Sequence, residues 1–182
     1  RDSYIPLDKL PESTRELYEY HPDKAKQLLA EADYPKGFKT EVLCTQAMVD
    51  ILSIVKDYWA KIGVDLTLDV KETGVYNSMR AAFAYKQMEC GSRGTGSALW
   101  KLSPWTTGNV QNKSIVKDPY IDDIYKKVYT WETYKDYDKQ NQLYREVFQY
   151  ILAQAYELTF PVPYQYTMWQ PWVKNYHGER IT

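Results

Sequence analysis

Val64, Leu66, Leu68 and Val70 alternate with Asp65, Thr67, Asp69 and Lys71. A period of two predicts a strand with one buried face. Just upstream, Ile51, Val55, Tyr58 and Ile62 recur at helical spacing from about Met48, and Gly63 supplies the C-cap. Thr40–Thr45 reads as a short strand before that helix. Strand, helix and strand over about thirty residues make a βαβ unit, whose strands run parallel with a right-handed crossover. Val75–Ala84 reads as a further helix and Gln87–Cys90 as a third strand. Each crossover returns beside the first strand, so Thr40–Thr45 is expected in the middle.

The flanking segments are helical or irregular. Residues 1–20, with Pro6 and Pro11, show little periodicity and read as a lead-in segment. His21-Pro22-Asp23 opens a helix whose Ala25, Leu28, Leu29 and Ala32 form one stripe, expected to face a core. Tyr34-Pro35-Lys36-Gly37 ends it. From Gly91 to Lys117 regularity gives way to Gly, Ser, Thr and Asn with Trp100 and Trp105, a loop long enough to suggest function. Asp118-Pro119 opens a helix carrying Ile121, Ile124, Tyr125 and Val128, and about Asp136 a second begins with Leu143, Val147, Tyr150 and Ile151. Leu158–Trp169 reads as a strand that Pro161 and Pro163 force to an edge. The 182 residues are enough for one domain, an α/β fold with an open sheet flanked by helices.

Charge narrows the partners. Twenty-three Lys and Arg balance 24 Asp and Glu, so no basic field exists to hold nucleic acid. The longest apolar run, Ala81–Tyr85, is far short of the roughly 18 residues a membrane helix needs. The chain begins at Arg1 rather than Met, which is read as a mature or excised segment. Aromatic residues are abundant, with 6 Trp, 18 Tyr and 4 Phe, as suits ligand clefts and interfaces as well as cores. Cys44 and Cys90 lack metal-ligand spacing and lie near the ends of strands expected to be neighbours. Two buried free thiols are expected, because adjacent parallel strands seldom offer disulfide geometry.

Ligands of open α/β sheets sit at the carboxyl ends of the strands. That places the candidate ligand-binding residues at Thr45 and Gln46 after the first strand and at Gly91, Ser92, Arg93, Gly94 and Thr95 after the third, with Trp100 and Trp105 as walls. Glycines there let backbone approach a ligand and expose amide donors. No catalytic constellation accompanies them: His21 opens a helix, His177 lies in the tail, and Asp122-Asp123 sit where a helix dipole accounts for them. A carbohydrate-active enzyme or oligosaccharide-binding module is the alternative, but the strand ends carry Thr, Gln, Gly and Ser instead of paired acids. A non-enzymatic chain without cofactor or metal is expected.

The segment from His21 to Phe38, HPDKAKQLLAEADYPKGF, resembles the D-P-E-K-A-K-x-L-L-A-E-A-G-Y-P-x-G-F signature of the family 5 extracellular solute-binding proteins, the dipeptide, oligopeptide and nickel class of ABC importers. Trp59 to Val64 is similar to that family's L-x-K-I-G-I-x-V step, and Asp118 to Tyr125 to its N-P-x-x-D-x-L helix start. Pro161 to Tyr164 and Pro171 to Gly178 resemble its closing I-P-L and W-V-K-N-Y-x-G segments. The likeness runs from about Tyr18 to Gly178.

The resemblance implies a periplasmic-binding-protein-like lobe. Residues 1–20 would lead in from an absent first lobe, and residues 21–182 would form the second lobe, stopping short of the native C-terminus. It implies capture of a peptide or similar small polar solute, delivery to a membrane ABC permease, and an extracytoplasmic place, in a periplasm or as a cell-surface lipoprotein. Peptide-binding members carry an Asp in a G-W-x-A-D-Y type segment that pairs with the peptide's free amine. Here that stretch reads Glu89-Cys90-Gly91-Ser92-Arg93-Gly94-Thr95-Gly96-Ser97, with Arg93 and no Asp. A guanidinium favours a carboxylate, a phosphate or a ring.

Overall fold

The computed structural model describes residues 5–91, 98–160 and 168–176. In chain order, the elements are α1 (Glu12–Arg15), α2 (Pro22–Glu31), β1 (Lys39–Thr45), α3 (Val49–Ala60), β2 (Asp65–Lys71), α4 (Thr73–Ala81), β3 (Met88–Glu89), α5 (Ala98–Leu102), α6 (Pro119–Val128), α7 (Trp131–Lys135) and α8 (Tyr137–Ala153). Short 3-10 turns occupy Leu7–Lys9, Glu16–Tyr18, Gln46–Met48 and Ser103–Trp105.

The sheet has the order β2-β1-β3, with β1 central and both pairings parallel. Lys39 pairs with Asp65 and Thr45 with Lys71, so β1 and β2 match along their full length. Only Val42–Met88 and Leu43–Glu89 pair on the other side. Paired residues of parallel strands share a face and alternate along each strand. Val42, Cys44 and Leu66 therefore point together, and Leu52 of α3 buries them, with Met48, Ile51, Val55 and Trp59 packed around. Leu43 is buried on the opposite face, the one to which α4 delivers Tyr76.

The loops entering β1 and β2 interlock. Gly37 and Gly63 both have positive φ, +74° and +89°, and the amide of Asp65 donates to the carbonyl of Phe38 at 2.9 Å. The sequence's C-cap glycine is thus also a packing glycine.

A second apolar core is helical. Leu102, Trp105, Val116, Ile121, Ile124, Val128, Tyr144, Val147 and Ile151 bury one another. Side-chain caps start its helices: Asp118 accepts from the amide of Tyr120, Thr130 from that of Thr133 and Asp136 from that of Lys139. Helix α1 packs against α8 and buries Thr14. Lys113 fastens the two cores, its Nζ donating to the carbonyl of Arg80 at 3.0 Å and lying 4.0 Å from the ring centre of Phe83. Burial, with Arg80 nearby, holds that ammonium below the usual lysine range.

Several expectations are corrected. The stripe of α2 covers no core: Leu28 is 54% exposed, Ala32 is exposed and Ala25 and Leu29 are only half-buried. Helical periodicity marks a stripe without supplying the surface it packs on. The region from Gly91 to Lys117 is not loop throughout, since α5 and the Ser103–Trp105 turn anchor it through Leu102 and Trp105. Helix α7 was not anticipated. Of the strand expected at Leu158–Trp169, Leu158–Phe160 and Met168–Trp169 carry no strand structure, and the remainder lies outside the described residues.

Candidate functional site

The parallel register brings the strand ends to one rim. Leu43 pairs with Glu89, so continuing the ladder by two residues sets Thr45 beside Gly91, while Thr45 pairs on its other side with Lys71. The amide of Cys90 still donates to the carbonyl of Leu43 at 2.9 Å, which carries the alignment past the end of β3. Gln46 follows in the turn that opens α3.

Beneath Gly91 lies a polar cluster on the α4 face. Tyr76 Oη donates to Glu89 Oε2 at 2.7 Å and lies 3.0 Å from the carbonyl of Cys90, and Arg80 Nε donates to the same Glu89 oxygen at 3.0 Å. Burial, reinforced by the bond to Glu89, pushes the Tyr76 phenol well above its ordinary range. Beyond Glu89, the carboxylates close to the strand ends are also engaged. Asp69 pairs with Lys71 at 2.7 Å, and Glu72 caps α4 by accepting from the amides of Gly74 and Val75.

On the α3 face, Cys44 is buried and Cys90 half-buried, both as free thiols. Burial raises both thiol pKa values, assisted by Asp69 at Cys44 and by Cys44 and Glu89 at Cys90. Among the described residues no group of three or more His, Cys, Asp and Glu side chains is arranged to hold a metal ion, and no helix is long and apolar enough to cross a membrane.

The sequence-derived candidates are placed unevenly. Thr45 ends β1, Gln46 opens the turn after it, and Gly91 lies two residues past the end of β3. Ser92, Arg93, Gly94 and Thr95 lie outside the described residues. Trp105 is 4% exposed within the helical core, with its ring 6.2 Å from that of Tyr156, whereas Trp100 on α5 is 66% exposed. The structure does not bring these two indoles to one wall. Asp122 and Asp123 have structural partners, the amide of Thr107 at 2.8 Å and Lys127 at 2.6 Å. Sequence reasoning missed the Tyr76–Arg80–Glu89 cluster. A helical Tyr and Arg four residues apart, facing an inward-pointing strand Glu, was the signal available.

No family model matches the chain. The Heme-binding protein A of Haemophilus influenzae is 43% identical over 54 aligned residues, covering 26% of this chain and 10% of that protein. The periplasmic binding protein DppA of Helicobacter pylori, solved with the peptide STSA, is similar over 76% of this chain and 28% of its own, at 26% identity and a TM-score of 0.64. HbpA2 of Haemophilus parasuis is similar over 85% of this chain and 31% of its own, at 25% identity and a TM-score of 0.71. The chain therefore spans about a tenth of the curated relative and under a third of these solved proteins. In sequence and fold the chain resembles a single lobe of the family 5 extracellular solute-binding proteins, the dipeptide, oligopeptide and nickel class of ABC transporter substrate-binding proteins.

Proposed function

We propose that this chain grips one side of a small polar solute, a peptide or similar compound, in an extracytoplasmic substrate-binding protein that hands the solute to a membrane ABC permease. The observation that carries this reading is the parallel register that brings the carboxyl ends of β1 and β3 next to each other, Leu43 pairing with Glu89, in a fold shared with a protein solved around a peptide. In this reading residues 1–20 lead in from a first lobe and residues 21–182 form the second. Thr45, Gln46 and Gly91 supply the rim, joined by Ser92, Arg93, Gly94 and Thr95. The strand ends carry Thr, Gln, Gly and Ser beside Arg93 and no paired acids, which suits orienting a solute and not catalysis.

Two lobes normally enclose the ligand, so one lobe alone makes about half the contacts while bearing the full loss of ligand translational freedom. Titration calorimetry with the tetrapeptide STSA tests this. The chain alone is expected to bind with a Kd in the millimolar range. In the two-lobed protein, Arg93→Ala is expected to weaken binding of a carboxylate-bearing solute by about 1.5–3 kcal/mol, the range for a hydrogen bond to a charged group. Tight binding by the chain alone would contradict the half-cleft reading.

A further inference from the structure

Three polar atoms converge on the α-carbon of Gly91. A Cβ there would lie 2.4 Å from Tyr76 Oη, 2.8 Å from Glu89 Oε2 and 3.2 Å from Arg80 Nε. These same atoms bond one another, so the glycine and the cluster form one packed unit. The single phenolic proton of Tyr76 serves two acceptors, the side chain of residue 89 and the carbonyl of residue 90. Successive residues at the end of β3 are thereby tied to one point on the first turns of α4. Arg80, one helical turn further on, donates to the same carboxylate oxygen.

This tie matters because β3 is only two residues long. Gln87, accepting from the Glu41 amide and the Thr40 hydroxyl, holds the entry of this strand, and two ladder pairs and the bond from Cys90 to Leu43 hold its body, so at its exit the cluster is the added tie. The Glu89 side chain is 10% exposed and already matched by a cation and a phenol. Drawing it toward a ligand's ammonium group would strand Arg80, a costly exchange in a half-buried setting.

We propose that Tyr76, Arg80 and Glu89 are positioning residues for the ligand rim: they fix the exit of the chain from β3, and the Glu89 carboxylate is consumed in doing so and not offered to a cationic ligand group. The proposal rests on the reading of the strand ends as the ligand rim.

Amide hydrogen exchange on the full chain tests the positioning half without any ligand. Tyr76→Phe and the isosteric Glu89→Gln are each expected to speed exchange at Cys90, whose amide donates to the carbonyl of Leu43, by about tenfold or more while α8 amides stay unchanged, the signature of local opening. Gly91→Ala is expected to open the same rim, and adding Tyr76→Phe to it, which removes the nearest clashing atom, should restore part of the protection. Unchanged exchange at Cys90 in both single variants, or no rescue in the double variant, overturns the positioning role. Intrinsic tryptophan fluorescence titrated with STSA and with N-acetyl-STSA tests the other half. Affinities agreeing within about threefold, under 1 kcal/mol, are expected; a loss beyond tenfold on acetylation that Glu89→Gln abolishes would overturn it. If neither peptide binds, the peptide reading fails, while the exchange result still decides the positioning role.

Discussion

Gly37 and Gly63 meet backbone to backbone: a Cβ on Gly37 would lie 2.0 Å from the carbonyl oxygen of Gly63, and one on Gly63 would lie 2.9 Å from the carbonyl oxygen of Lys36. The turns leading into β1 and β2 can touch only because neither residue carries a side chain. Gly37→Ala combines that clash with a left-handed backbone, so a loss above about 2 kcal/mol is expected in urea denaturation. Gly108 shares the left-handed conformation, at φ +77°, but nothing lies within 4 Å of its would-be Cβ. Gly108→Ala should then cost only about 1 kcal/mol, the conformational penalty alone. Equal losses at the two sites would refute the close-approach account.

Asp118 gathers the helical core. Its carboxylate accepts from Tyr150 Oη at 2.8 Å, Tyr156 Oη at 2.9 Å and the amide of Tyr120 at 2.9 Å. Burial alone would raise its pKa, but the bonds from Tyr150, Tyr156 and the Tyr120 and Ile121 amides outweigh it and hold the carboxyl below its usual range. The folded-state pKa is thus the lower one, so this stabilisation is fully present above the ordinary carboxylate pKa and is lost as pH falls through the depressed value. Thermal melts from neutral pH to pH 2 should show Asp118→Asn with a shallower acid loss than the parent. The variant should be less stable at neutral pH by about 1–3 kcal/mol. Parallel curves would contradict the assignment.

Asn112 closes the loop that leads into α6. Its amide donates to the carbonyls of Thr106 at 3.0 Å and Val116 at 2.7 Å, and its oxygen accepts from the amide of Val116 at 3.0 Å. Asn112→Ala leaves buried backbone groups without these partners and should cost about 2–3 kcal/mol in denaturant unfolding. A change under half a kilocalorie would mean that water replaces the side chain.

Cys44 is 0% exposed and Cys90 half-buried, and burial raises the pKa of both thiols. Since the thiolate is the reactive form, alkylation of native protein at neutral pH should be slow at both, with Cys90 modified first. Unfolded, unreduced protein should titrate as two thiols. A count of zero would reveal a disulfide.

The sheet was legible because its code is local. Leu66 and Leu68 alternate with Thr67 and Asp69, α3 covers only one face, and the pattern names both the strand and its buried side. The N-caps Asp118 and Asp136 were equally plain, each preceding its helix in the chain. What Asp118 binds was not, for Tyr150 and Tyr156 stand 32 and 38 residues away and only tertiary packing delivers them. Helix α7 spans five residues, too few for periodicity to register. Trp105 looked like a cleft wall because its irregular surroundings suggested exposure, but the Ser103–Trp105 turn directs it into the helical core. The rule for strand ends named Thr45, Gln46 and Gly91 as candidates, while Tyr76 and Arg80 lay hidden in a helix that showed only its apolar spacing.

Mapping of amide chemical shifts on the full chain during titration with STSA tests the central claim most directly, that the carboxyl ends of β1 and β3 form the ligand-gripping rim. Saturable shifts are expected at Thr45, Gln46 and Gly91 with a Kd in the millimolar range, while α8 amides remain still. Shifts centred on the helical core, or a spectrum unmoved at a peptide concentration tenfold above that range, would contradict it.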